Sequence, residues 1–251
     1  MAFDGHHSRW RSVLEKYTRN GLVDYVALKK NPDDLNFYLD EIKGLAEAEY
    51  EIWSKNEKIT FWINAYNALT IKIVTDHYPI TRSGLKGFIF PDNSIQQIPN
   101  VWKREALFIL GQDHSLDHIE HKILRRKFDD SRVHFALVCA SLGCPALREE
   151  PFLADRFDEQ LDDQTRRFLG DPDKNGYDQK SDTLSLSLIF RWFGEDFEKE
   201  GLIPLVKKYL PSGAALGVST KTKILWLEYD WRLNEMLAVP ASIQKNKELK
   251  S

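Results

Sequence analysis

The chain has little of what marks several large classes of protein. Only two of its 251 residues are cysteine, which excludes the disulfide framework that holds many small secreted domains together. No apolar run approaches the roughly 18 residues that a membrane-spanning helix needs. Neither sign of charge dominates, since 35 basic and 38 acidic residues give a net charge of -3. This balance gives no electrostatic basis for binding nucleic acid.

The residues that are abundant predict a folded domain. Hydrophobic residues make up 42% of the chain and aromatic residues 12%, which excludes a disordered protein. No internal repeat and no long linker divides the sequence. We therefore predict one α+β domain over residues 8–240, with several helices packed on a small, mostly antiparallel sheet. A polar tail is predicted over residues 241–251.

The spacing of apolar residues predicts the individual elements. Helices are expected to begin at Ser8, Pro32 and Glu57, and Pro79 ends the third of them. Further helices are predicted over residues 116–127, 151–168 and 202–209. Strands are predicted over residues 133–139, 183–186 and 224–229, with a short helix capped by Ser187 between the last two.

The segment RVHFALVCASLGCPAL, residues 132–147, contains both cysteines. If residues 133–139 form a strand, His134 and Cys139 lie about 16 Å apart, which is too far for His134 to act as the base of Cys139. Cys139 is either a nucleophile or a small core residue. The turn that follows, at Ser141, offers backbone N–H groups for an oxyanion. A disulfide between Cys139 and Cys144 and a pair of reduced thiols both stay open.

The helix predicted over residues 116–127 carries the most unusual charge. Glu120 is four residues from both Leu116 and Leu124, so its carboxylate shares their buried face, where an unpaired charge is costly. Glu120 therefore either pairs with an arginine, Arg125 or Arg148, or acts as an acid in a site. His121 is turned by about 100° on the same helix, and it is the nearest imidazole that can serve Cys139 as a base.

Two further groups of residues have a binding and a structural interpretation. Asn64 and Asn67 share one face of the third helix, where their amides either hold a loop in place or bind a ligand. His118 and His121, with Cys139 as a third ligand, form a weak zinc candidate without an H-E-x-x-H motif. We therefore predict no metal and no cofactor.

Five ordered segments together resemble the domain of unknown function 547 family. They are FWINAYNALTI (61–71), SLDHIEHKILR (115–125), VHFALVCASLGCPAL (133–147), SLIFRWFGEDF (187–197) and LEYDWRLN (227–234). The resemblance runs from about Ser8 to Asn234. It implies that Cys139 rather than Cys144 is the essential thiol, and it leaves His114 and His118 outside the shared pattern, which weakens the zinc interpretation.

The shared pattern contains the remaining candidates, which are Ile119-Glu120-His121, His134-Phe135, Asn64 and Asn67. A cysteine, a histidine and an acid together resemble papain-like or transglutaminase-like hydrolases, which are α+β folds. Bacterial members of the family often carry secretion or lipoprotein leaders, which implies a periplasmic or extracellular protein. The N-terminus, MAFDGHHSRWRSVLEKY, lacks a signal-peptide pattern, so a cytoplasmic location stays open as well.

These features predict a thiol-dependent hydrolase or acyl transferase that acts on an amide or peptide bond. In this hypothesis Cys139 attacks, His121 is the general base and then the general acid, and Glu120 or an asparagine amide holds the imidazole in place. The predicted ligand is a peptide or another small molecule containing an amide, and the predicted substrate-binding residues are His134, Ser141, Asn64 and Asn67. The alternative is a non-catalytic domain that binds a peptide or glycan, with a buried Glu/His/Asn network in its core.

Overall fold

The computed structural model describes residues 2–82 and 84–237. The predicted tail, residues 241–251, and the last residues of the predicted domain lie outside these ranges. Within them the chain is an α+β domain, as the sequence predicted, in which helices predominate. None of the described helices combines the length and the apolar character that crossing a bilayer would need.

The first half of the chain is helical and is built around one long helix. Lys55–His77 (α5) begins at a capping box, in which Ser54 and Glu57 exchange hydrogen bonds, and nearly every side along most of its length is buried. Helices that begin near Ser8 and Pro32 are confirmed, and α5 begins two residues before the predicted Glu57. The helices preceding α5 are α1 (Ser8–Tyr17), α2 (Tyr25–Lys30), α3 (Asp33–Lys43) and α4 (Glu47–Glu51).

The second half contains shorter helices. Leu116–His118 (α6) continues without a break into a π-helical segment, Ile119–Leu124, and then into Arg125–Phe128 (α7). The later helices are α8 (Val133–Ala136), α9 (Phe157–Leu169), α10 (Ile189–Trp192), α11 (Gly194–Phe197), α12 (Leu202–Tyr209) and α13 (Ser212–Gly217). Short 3₁₀ helices lie at Gly84–Phe88, Ile95–Gln97 and Ala154–Arg156.

The strands of the described residues form three small sheets rather than one. Two are antiparallel hairpins, one of β1 (Thr18–Arg19) with β2 (Leu22–Val23) and one of β3 (Leu107–Ile109) with β4 (Gln112–His114). In the third, β6 (Thr183–Ser187) pairs antiparallel with β5 (Gly176–Asp178) and parallel with β7 (Lys223–Leu227). The predicted strands near residues 183 and 224 are therefore confirmed.

The predicted strand over residues 133–139 is wrong. Val133–Ala136 form the short helix α8, and only the residues from Leu137 onward are extended. Every residue from Val133 to Val138 is buried. The burial pattern therefore shows neither the two-residue period of a strand nor the period of about 3.6 residues of a helix. A short apolar run without such a pattern fits a buried helix as well as a buried strand.

Helix α8 lies where two hydrophobic clusters meet. Val133 and Ala136 belong to the larger cluster around α5, while Phe135 belongs to a second cluster formed by β6, α10 and α12. The chain that leaves α8 therefore runs along the boundary between the two clusters. Cys139 lies on this stretch, three residues after the helix ends.

Candidate functional site

A cavity of about 180 Å³ lies at the end of this stretch. Cys139, Glu120, His121 and His134, which the sequence singled out, all line it. The other lining residues are Tyr66, Gln96, Trp102, Asp117, Leu137, Cys144, Ile189, Trp192, Phe193, Tyr229 and Trp231. The structure thus brings together both cysteines, two of the candidate histidines and the anomalous carboxylate.

Cys139 is half-buried on the wall of this cavity, and its sulfur lies among hydroxyl groups. Its Sγ is 3.0 Å from Ser141 Oγ and 3.1 Å from Tyr229 Oη, and the two hydroxyl oxygens are 3.2 Å apart. Cys139 donates its backbone N–H to the Sγ of Cys144 over 2.8 Å. Both cysteines are free thiols. Among the described residues, no imidazole forms a hydrogen bond with Cys139 Sγ.

These neighbours stabilise the thiolate form of Cys139. Burial raises the pKa of the thiol, but hydrogen bonds from Cys144, Ser141 and Tyr229 outweigh burial and lower the pKa from 9.0 to about 7. Burial, followed by the neighbouring Cys139, raises the pKa of Cys144 well above its ordinary value. Cys139 is therefore the thiol of the pair with the lower pKa, and it ionises first as the pH rises.

Glu120 lines the cavity, and its hydrogen-bond partner is a tyrosine hydroxyl rather than an arginine. The hydroxyl of Tyr66, on α5, donates to Glu120 Oε2 over 3.1 Å. Burial raises the pKa of Glu120 from 4.5 to about 7, although the Tyr66 hydrogen bond opposes this and the charge of Cys139 adds to it. The expected pairing of Glu120 with Arg125 or Arg148 does not form, since Arg125 contacts Asp196 and Arg148 contacts Glu150 and Asp163.

His121 lies on the cavity wall in one defined tautomer. Arg125 Nη1 is 2.8 Å from His121 Nδ1, and because a guanidinium can only donate, Nδ1 is the acceptor. The ring hydrogen is then on Nε2, which is 3.5 Å from Asp117 Oδ1. Burial lowers the pKa of His121, and Arg125 lowers it further against the opposing effect of Asp117. His121 is thus neutral, and its Nε2–H lies near Asp117 without a hydrogen bond between the two side chains.

His134 is the imidazole that a carboxylate orients. Its Nε2 is 2.6 Å from Asp196 Oδ2, and its ring stacks on Phe193 with the centroids 4.1 Å apart. Burial lowers the pKa of His134 despite the raising effect of Asp196, while His134 and Arg125 hold the pKa of Asp196 well below its usual range. His134 is therefore neutral, with its hydrogen on Nε2 and the lone pair on Nδ1.

Asn64 and Asn67 hold backbone instead of lining the cavity. Asn67 donates to the carbonyl of Ala136 over 2.9 Å and accepts from the N–H of Val138 over 2.9 Å. Asn64 forms the same pair of hydrogen bonds with the backbone of Phe152. Their predicted place among the substrate-binding residues is not supported by these contacts, which match the structural alternative of holding a loop. Asn67 fixes the backbone immediately before Cys139.

The turn after Cys139 is held by the last described segment of the chain. Leu142 and Gly143 donate their N–H groups to Arg232 and Asp230, at 2.8 and 2.9 Å. A Cβ on Gly143 would lie 2.8 Å from the backbone nitrogen of Asp230, so this close approach requires glycine. The same pairing carries Tyr229 to the sulfur of Cys139.

Some backbone donors of this turn are engaged elsewhere, and one reaches the sulfur. The N–H groups of Cys139, Leu142 and Gly143 form other hydrogen bonds, whereas the N–H of Ser141 donates to the Cys139 thiol and lowers its pKa. Ala140, between them, has a φ of 58°, a left-handed conformation that L-residues other than Asn and Asp rarely adopt. Such strained residues cluster at functional sites.

The histidines of the zinc hypothesis do not assemble around Cys139. His118 stacks on His114, with the ring centroids 4.7 Å apart, and both lie outside the set of residues that lines the cavity. In the described part of the chain, no three His, Cys, Asp or Glu side chains are grouped as a metal site would require.

Sequence reasoning missed three residues of the site. Tyr229 was placed at the end of the predicted strand over residues 224–229, and Tyr66, Asp196 and Tyr229 were not among the predicted site residues. Tyr66 is next to Asn67 on α5. The helical spacing of the apolar residues showed that its side chain lies on the buried face, but not which residue it contacts there. Asp196 and Tyr229 are 57 and 90 residues from Cys139 in the sequence, and only the family-like segments that contain them pointed to a shared site.

Residues 50–169 match the model of a family described as "Protein of unknown function, DUF547", and this segment belongs to that family. The resemblance that the sequence predicted is confirmed over this range, which is shorter than the expected Ser8 to Asn234. The matched range contains Cys139, Glu120 and both cavity histidines but neither Asp196 nor Tyr229. No curated protein and no solved structure matches the chain.

Proposed function

We propose that the cavity carries out thiol-dependent hydrolysis or acyl transfer on an amide or peptide bond, with Cys139 as the nucleophile. The observation that supports this most directly is the half-buried Cys139 on the cavity wall, whose sulfur is hydrogen-bonded by Ser141 and Tyr229 beside a carboxyl group with a raised pKa. Perturbed groups that meet in a cleft are characteristic of catalytic sites.

Proton transfer between thiol and carboxyl is nearly balanced in this arrangement. The pKa of Cys139 is lowered to about 7 and the pKa of Glu120 is raised to about 7. The state in which Cys139 is a thiolate and Glu120 is protonated is therefore accessible near neutral pH. This pair is a nucleophile and an acid in one cavity, the combination that cleavage of an amide requires.

In the proposed reaction the Cys139 thiolate attacks the carbonyl carbon, and a C–S bond forms. Glu120 delivers its proton to the departing nitrogen as the C–N bond breaks, which leaves a thioester on Cys139. Water, or an amine in the transferase reaction, then attacks the thioester. Glu120 takes up the proton of this second nucleophile, and the thiolate leaves.

The two histidines receive different roles. His134, oriented by Asp196, presents its Nδ1 lone pair and acts as a second base. His121 presents an Nε2–H donor to the substrate. The assignment of the base to His121, which the sequence favoured, would require its Nδ1 to leave Arg125.

The test measures acyl-enzyme formation. Incubation with p-nitrophenyl acetate should place one acetyl group on Cys139, detected by peptide mass spectrometry, and Cys139→Ala should abolish that adduct. Cys144→Ser is the matched control, because it removes the neighbouring thiol and should retain acetylation. Glu120→Gln should leave acetylation largely intact and should slow cleavage of peptide amides, whose leaving group needs the proton.

The alternative function, binding of a peptide or glycan without catalysis, is supported by the aromatic side chains in the cavity wall. It predicts that Cys139→Ala binds a ligand unchanged and that the wild-type protein forms no acyl adduct. Equal acetylation of wild-type protein and Cys139→Ala would remove the catalytic proposal.

A further inference from the structure

The cavity wall carries acidic side chains. Asp117 and Glu120 line it together with the Cys139 thiol, and no lysine or arginine of the described residues is among the lining side chains. The guanidinium of Arg125 contacts His121 on the wall and is directed to Asp196. An anionic ligand would thus meet the Asp117 carboxylate without a compensating cation, whereas a cationic ligand would meet complementary charge.

Aromatic rings form another part of the cavity wall. Trp192 contacts both Tyr229 and Trp231, with ring centroids 4.8 and 6.0 Å apart, and Tyr229 is 4.6 Å from Trp231. Trp102 also lines the cavity. Trp192 is 47% exposed although it is a large apolar side chain. Electron-rich ring faces beside carboxylates are the environment that binds organic ammonium groups.

We propose that the substrate carries an organic ammonium group, which lies against Trp192, Trp231 and Asp117 while the scissile carbonyl lies at Cys139. This inference rests on the proposed function for the carbonyl. The binding of the cation stands on the wall residues alone and is measured without turnover. The sequence did not predict this binding surface, because its residues come from four separate segments of the chain. They are Trp102, Asp117, Trp192 and Trp231.

The test compares choline with 3,3-dimethyl-1-butanol, which has the same shape without the charge. Titration of the wild-type protein, followed by tryptophan fluorescence, should show choline binding about three- to thirtyfold tighter. Trp192→Leu and Asp117→Asn should each remove most of this preference. Phe108→Leu is the matched control, because Phe108 is 48% exposed and lies outside the cavity, and it should bind as the wild type does.

Each result is decisive for this inference. Equal affinity for the two compounds, or no binding of either, overturns it. Loss of the preference in Phe108→Leu overturns it as well. If choline binds selectively while Cys139 forms no acyl adduct, the ligand class stands and the proposed catalytic function fails.

The contact between the two thiols supports a second inference independently. Cys144 Sγ lies 2.8 Å from the backbone nitrogen of Cys139, and both residues line the cavity. A hydrogen bond also links the two thiols, so their sulfurs already lie close to each other. Cys139 is partly exposed and Cys144 is only 5% exposed, so a small reagent in the cavity reaches Cys139 first.

We infer that the pair is a site of oxidation by hydroperoxides. The Cys139 thiolate attacks the peroxide oxygen, an S–O bond forms, the O–O bond breaks, and water or an alcohol leaves. Cys144 then attacks the sulfenic acid, so that an S–S bond forms and the oxygen departs as water with the thiol proton. Two electrons pass from the thiols to the peroxide, and a thiol reductant restores both.

Treatment of the native protein with hydrogen peroxide and dimedone tests this inference. The wild type should lose both free thiols and become lighter by two hydrogen atoms, reversibly with dithiothreitol. Cys144→Ser should instead form a dimedone adduct at Cys139, and Cys139→Ser should form neither product. A dimedone adduct on most of the wild-type protein, or two thiols that stay free, would refute the inference.

Discussion

The two asparagines of α5 allow the positioning of Cys139 to be separated from the stability of the fold. Asn67 hydrogen-bonds the backbone of Ala136 and Val138, and Asn64 hydrogen-bonds the backbone of Phe152 at both its N–H and its carbonyl. Both side chains are buried. Alanine at either position therefore leaves one buried donor and one buried acceptor without a partner.

The expected loss of stability is the same for the two variants. An unsatisfied buried polar group costs about 1–3 kcal/mol, so two such groups lower the free energy of unfolding by about 2–6 kcal/mol. Urea unfolding measures this loss. Similar losses would show that the two amide clamps are energetically equivalent, which makes Asn64→Ala the matched control for Asn67→Ala.

The reactivity of Cys139 should separate the variants. In Asn67→Ala the backbone before Cys139 loosens, its thiolate moves from the hydroxyls of Ser141 and Tyr229, and the pKa of Cys139 rises from about 7 toward its ordinary value of 9.0. A rise of one unit in the pKa of Cys139, from about 7 to about 8, lowers the thiolate fraction at pH 7 by about fivefold. Alkylation by iodoacetamide at pH 7 should slow by that factor or more, and at pH 9.5 it should hardly change.

The alkylation rate of Asn64→Ala should equal that of the wild type at both pH values. Rates are compared without urea, under conditions in which circular dichroism shows each variant folded. If both variants lose stability and both keep the wild-type rate at pH 7, Asn67 does not position Cys139. If both slow equally, general loosening of the fold accounts for the change, and the reasoning from the clamp is refuted.

Three further predictions follow from the same contacts. Tyr229→Phe should raise the pKa of Cys139 by about one unit, since a hydrogen bond to a charged group contributes about 1.5 kcal/mol, and the pH profile of alkylation measures this; an unchanged profile would contradict it. Burial raises the pKa of Glu120 from 4.5 to about 7, so between these values the folded protein holds a proton that the unfolded protein has lost. The free energy of unfolding therefore falls by on the order of 3 kcal/mol as the pH rises from 4.5 to above 7. Urea unfolding at pH 4.5 and 8 should show this fall in the wild type and not in Glu120→Gln. Gly143→Ala should lower the free energy of unfolding by about 1–3 kcal/mol, because the added Cβ overlaps the backbone of Asp230; a melting temperature equal to that of the wild type would argue against that overlap.

The sequence predicted the long helix well because its signals were local. The residues of α5 lie between the capping box at Ser54 and a proline after its end, and its apolar residues recur at helical spacing. Glu120 was recognised as unusual for an equally local reason, since a carboxylate interrupted an apolar face. Its partner, Tyr66, was not predicted, because the contact depends on how two helices pack.

The error at residues 133–139 changed the interpretation of His134. A strand rises about 3.3 Å per residue and a helix about 1.5 Å, so the predicted strand made the distance between His134 and Cys139 too long for a shared site. Helix α8 shortens the segment, and both residues reach one cavity. The role of Asp196 could not be foreseen, because it follows from tertiary contacts over 62 residues of sequence.

The location of the cavity between two hydrophobic clusters has a thermodynamic consequence. Tyr66 and Leu137 come from one cluster, while Ile189 and Tyr229 belong to or pack against the other. A ligand in the cavity therefore contacts side chains of both clusters at once. Because such a ligand binds only where the two clusters are packed together, its binding stabilises their contact against unfolding.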